Sequence, residues 1–114
     1  MKFNSFEEIL AWQKAKQLSI SIYNDFKDVR DYDFKSQIQR ASVSVMNNIA
    51  EGFERGSNKD FIKFLYIAKG SCGEVRSMSY LAESLKYISQ EKSLAINDLS
   101  TAISKMLSGL IKTL

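Results

Sequence analysis

Apolar residues recur every third or fourth position through most of this 114-residue chain. Ala11, Ala15, Leu18, Ile22 and Phe26 set one stripe, which Ile9, Trp12 and Tyr23 widen. Phe34, Ile38, Ala41, Val45 and Ile49 set a second. Phe61, Phe64, Leu65, Ala68, Cys72 and Val75 set a third. Ile96, Leu99, Ile103, Met106, Leu110 and Leu114 repeat at near-heptad spacing. An α-helix has about 3.6 residues per turn, so each stripe marks one face of an amphipathic helix. The pattern predicts helices over Phe6–Lys27 and Phe34–Glu54, a third running to Ile88, and a fourth beyond it.

Capping residues punctuate these stripes. Ser5 and Glu8 have capping-box spacing ahead of the first helix. Asp33 is placed to cap the second, Ser57 with Asp60 the third, and Ser89 the fourth. Gly56 and Ser57 mark the turn of a central hairpin. Short connections force neighbouring helices antiparallel. The expected fold is an all-α, up-down-up-down four-helix bundle in a single domain, residues 1–114. An extended three-helix arrangement completed by another subunit is the alternative.

Composition narrows the chemistry. The chain has no proline, five glycines and 45% hydrophobic residues, which suits helices. It has no histidine, so the commonest general base and metal ligand are missing. Its one cysteine, Cys72, forms no internal disulfide and no zinc cluster. No apolar run approaches the roughly 20 residues that span a bilayer. The opening MKFNSFEEILAWQKAK has acids and lysines where a signal peptide would be apolar, and it reads as mature sequence in the cytoplasm. No phosphate loop, nucleotide fingerprint or Glu-x-x-His iron motif occurs. We expect no catalytic residues, no metal, no cofactor and no membrane partner.

The segment 37–74 holds the candidate sites. On the second helix Gln37, Arg40, Ser44, Asn47, Glu51 and Arg55 fall within about 80° of arc, at roughly 100° per residue. Apolar residues lie on both flanks, so this strip suggests a seam between helices or subunits, or a ligand surface. Glu51 and Arg55 are spaced for an i, i+4 pair. An Arg40–Glu74 ion pair is feasible across the hairpin; if buried, breaking it would cost about 3–5 kcal/mol. Gly70, Gly73 and Ser77 share about 60° of the third helix, away from its apolar face. Each mid-helix glycine costs about 1 kcal/mol relative to alanine, and close approach of another helix is a reason to keep two.

Net charge is only +3, but residues 35–76 carry seven basic and four acidic groups, against five and six over residues 1–34. Lys59, Lys63, Lys69 and Arg76 flank the outward side of the third helix, with Tyr66 between them. They form either a solvated face or a set of phosphate contacts with an aromatic for base stacking.

QIQRASVSVMNNIAEGFERGSNKDFIKFLYIAKGSCGE resembles the signature of a small bacterial four-helix-bundle family, known from reading frames within 23S rRNA intervening sequences. AWQKAKQLSISIY is similar to that family's first helix. The resemblance implies a ring-like homopentamer. It also implies kinship with the basic accessory protein of diversity-generating retroelements, which binds nucleic acid and a reverse transcriptase. This chain is only mildly basic by comparison. The functional expectation is a non-catalytic, oligomeric interaction protein that binds RNA or a ribonucleoprotein. A protein-binding scaffold is the alternative.

Overall fold

Four helices stand in a cyclic order in which the backbone of each packs closely on two neighbours. They are α1 (Leu10–Phe26), α2 (Tyr32–Glu54), α3 (Asn58–Ser84) and α4 (Gln90–Lys112). The computed structural model describes residues 3–114; Met1 and Lys2, part of the segment read as mature N-terminus, lie outside them. No strand occurs among the described residues. The bundle is elongated, 43 × 21 × 19 Å, as its long third helix requires.

The four stripes meet on the bundle axis. Leu18, Ile22, Phe26, Ile38, Val45, Ile49, Phe61, Leu65, Cys72 and Ile103 are all fully buried. Each large aliphatic or aromatic side chain there contributes about 1.5–3 kcal/mol by leaving water. The fourth stripe departs from its predicted heptad seam. Leu107 is fully buried and Leu99, Met106 and Leu110 only partly so, because a straight helix drifts about 20° per heptad against a 3.5-residue repeat.

Several boundaries differ from the sequence reading. Phe6–Glu8 is a separate 3-10 turn, and extended Ile9 (φ −77°, ψ 118°) breaks it from α1. That break lets Ile9 enter the core and Phe6 meet Trp12 edge-on at 5.1 Å. Ser5 makes no side-chain cap; the Asn4 amide donates to Glu8 Oε1 at 3.4 Å instead. Asp31, not Asp33, caps α2, accepting from the Phe34 amide at 3.2 Å. Ser57 accepts from Asp60 N and Ser89 from Lys92 N, so both serines cap their helices.

The third helix ends at Ser84 rather than Ile88. The Lys86 amide donates to Glu83 O and the Tyr87 amide to Ala82 O, both at 2.9 Å, which is a Schellman closure. Lys86 takes the left-handed conformation this needs (φ 62°) where glycine is usual. Tyr87 then reaches across the bundle end and donates to Asp31 Oδ2 at 2.7 Å. This bond lowers the Asp31 carboxyl below its ordinary pKa, helped by the Phe34 amide, and raises the Tyr87 phenol.

Candidate nucleic-acid interface

The two seams of α3 differ in chemistry. Toward α2 it is closed and small. A Cβ on Gly52 would come within 2.6 Å of Phe64 Cβ, so only glycine lets the helices approach this closely. Ser44 and Ser71 share a hydrogen bond at 2.9 Å, and Asn48 Nδ2 donates to the Ser44 carbonyl and hydroxyl. The side-chain amide in this seam is therefore that of Asn48; Asn47 is exposed. Gln37 Nε2 donates to Glu74 Oε2 at 3.4 Å.

The feasible Arg40–Glu74 pair does not form. Arg40 is exposed, and among the described residues the one ion pair is Arg55–Glu51, at 3.0 Å. Arg40 lies about 60° around α2 from Gln37, which holds the seam position. The Arg55–Glu51 pair is half-exposed, so it adds little stability. The Arg55 guanidinium also sits 4.9 Å from the Phe64 ring centroid.

Toward α4 the third helix is cationic and open. Lys69 Nζ donates to Ser108 Oγ at 2.7 Å, to Ser104 Oγ at 3.1 Å and to the Ser104 carbonyl at 3.4 Å. Among the described residues no carboxylate pairs with it. Lys69 and Arg76 from α3 face Lys105 and Lys112 from α4 across a groove of about 450 Å³, with Thr101, Ser104, Ser108 and Gly109 completing its walls. Lysines and arginines supply charge, and hydroxyls supply neutral donors; that set matches phosphate oxygens.

The predicted outward basic face thus divides. Lys69 and Arg76 are half-buried and turn toward α4, whereas Lys59 and Lys63 are exposed near the hairpin turn and stand apart from the groove. Tyr66 is 57% exposed. Gly70 and Gly73 face open space, with nothing within 4 Å of a built Cβ. Sequence reasoning missed Lys105 and Lys112. Their only signal is the i, i+7 spacing along α4, which becomes meaningful once α4 lies antiparallel beside Lys69 and Arg76.

Cys72 lies fully buried under the same helix face. Burial pushes its thiol up to about 11, against the smaller opposing pull of Arg76 and Lys69. It therefore stays protonated and acts as a packed apolar group. No helix among the described residues is long and apolar enough to cross a membrane.

The molecule is thus an all-α four-helix bundle with one open basic groove. The model of the 23S rRNA-intervening sequence protein family matches residues 7–109, and the chain belongs to that family. It is similar in structure to a protein of unknown function from the S23 ribosomal protein family of Bacteroides thetaiotaomicron VPI-5482. The two share 30% sequence identity and a TM-score of 0.85, over 90% of this chain and 99% of that one. Comparison with curated proteins finds no match.

Proposed function

We propose that this protein is a non-catalytic, cytoplasmic RNA-binding protein that works as a homo-oligomer. The α3–α4 groove carries the reading: Lys69, Arg76, Lys105 and Lys112 converge there with no acidic residue in the lining. A net charge of +3 is too small to hold a polyanion everywhere, so a local concentration of cations matters more than the total. Lys59, Lys63 and Tyr66, exposed near the hairpin turn, would form a separate, secondary contact. Assembly into a ring, a pentamer by the resemblance, would multiply the groove and strengthen its field. The kinship that the resemblance implies with the accessory protein of diversity-generating retroelements would fit the same reading.

Fluorescence anisotropy with a structured RNA across a salt series tests it. Affinity should fall steeply with salt, since neutralised phosphates release counterions, and the slope should shrink when all four groove cations become glutamine. No binding at low salt would overturn the proposal. A protein-binding scaffold is then the better account. It draws on the outward face of α3, where Ile67, Leu81 and Tyr66 are exposed beside Gly70 and Gly73.

A further inference from the structure

Lys69 stands in the basic groove, yet its bonds go to the protein. An ammonium has three N–H donors and no acceptor. Three α4 oxygens match them: Ser108 Oγ at 2.7 Å, Ser104 Oγ at 3.1 Å and the Ser104 carbonyl at 3.4 Å. The Lys69 side chain is half-buried, whereas Lys105 and Lys112 are exposed. Those two and Arg76 make no ion pair among the described residues.

The serines hold the other half of this arrangement. Because the ammonium only donates, Ser104 Oγ and Ser108 Oγ accept from it, and each keeps its own O–H proton. A helical serine often returns that proton to its own helix, as Ser42 Oγ does to the Gln39 carbonyl at 2.8 Å. Among the described residues neither Ser104 nor Ser108 does so. A hydroxyl that accepts from a cation is polarised and donates more strongly in turn. Ser104 and Ser108 are one helical turn apart on α4 and line the groove with Thr101, while Gly109 adds no side chain beside Ser108.

We propose that Ser104 and Ser108 are the groups that touch an RNA phosphate in this groove, and that Lys69 is the positioning residue that turns their hydroxyl protons toward it. The proposal rests on the RNA-binding reading and separates two kinds of contact within it. Arg76, Lys105 and Lys112 are the cations free to neutralise phosphates. Lys69 acts through the serines: it occupies their lone pairs on the side facing α3, which leaves the O–H bonds to point into the groove. Both hydroxyls lie within 3.1 Å of one nitrogen, close enough for a single phosphate group to accept from both.

The test is a double-mutant cycle on the full chain, read by anisotropy with a structured RNA across a salt series. Ser104→Ala/Ser108→Ala should weaken binding about tenfold at every salt concentration and leave the slope unchanged, since neutral donors release no counterions. Lys105→Gln and Lys112→Gln should instead each flatten the slope by roughly one phosphate contact. Lys69→Met should weaken binding about as much as the serine pair does, and the triple variant should be little weaker than either, because the three side chains act as a unit. Ser104→Thr/Ser108→Thr, which keeps both hydroxyls, should restore binding. Losses that multiply in the triple variant, or a serine pair whose removal changes nothing, overturn the proposal: Lys69 then meets the phosphate itself, and the basic groove stands as an RNA contact. Failure of the wild-type protein to bind RNA at low salt overturns the reading beneath it. Thermal melts accompany every variant, and should Lys69→Met melt early, the serine pair and its threonine rescue decide alone.

Discussion

The α2–α3 seam and the α3–α4 groove share a helix and solve opposite problems. In the first, Gly52 removes a side chain so that Phe64 can press against the α2 backbone, and Ser44, Ser71 and Asn48 satisfy one another. In the second, half-buried Lys69 meets only hydroxyls and a carbonyl, and four cations face each other. Mutually satisfied polar groups mark a seam built for stability. Uncompensated charge is the feature the proposed RNA contact draws on.

The difference can be broken from either side. The largest expected effect is on the groove: reversing charge with Lys69→Glu and Arg76→Glu should cut RNA affinity at least about a hundredfold while the thermal melt stays close to wild type. On the closed seam, Gly52→Ala should cost about 1–3 kcal/mol, since the contact atom is Phe64 Cβ and not the end of a flexible chain. A urea titration with unchanged slope and a lower midpoint would record it.

Gly70→Ala and Gly73→Ala should each stabilise a separated chain by up to about 1 kcal/mol, as their built Cβ atoms meet nothing. If subunits pack on this face, the same changes should raise the concentration at which the assembly dissociates in sedimentation runs.

The smallest effect concerns the clasp at the bundle end. The folded Asp31 carboxyl titrates below its ordinary range, first through the Tyr87 hydroxyl and then through the Phe34 amide. A lowered folded pKa stabilises the protein above the unfolded value of about 3.9 and loses that contribution as pH falls through the folded value. Tyr87→Phe should therefore lower stability at neutral pH, where the bond contributes, and flatten the further loss below about pH 4. An acid titration of helical signal that overlays wild type would count against the clasp.

The fold was largely legible in the chain. Four apolar stripes, two serine caps and a Gly-Ser turn require four helices, and short links require neighbours to run antiparallel. Misreadings fell at helix ends, where local bonds compete: Asp31 against Asp33 as cap, a 3-10 turn before α1, and a lysine in the left-handed position usually held by glycine. The candidate site was half legible. Lys69 and Arg76 stood out on α3 by their spacing. Their grouping with Lys59 and Lys63 did not survive folding, because α4 covers one flank of α3 and not the other.

The sequence by itself determined helix number, order and the buried faces, since those depend on residue periodicity within each segment. Tertiary structure decided which residues act together. Lys105 and Lys112 join Lys69 and Arg76 only because two distant segments lie side by side, and Asn97 becomes an unsatisfied group only once its surroundings are packed. Neighbours along a helix are set by local geometry; neighbours across helices are set by the burial of every stripe at once.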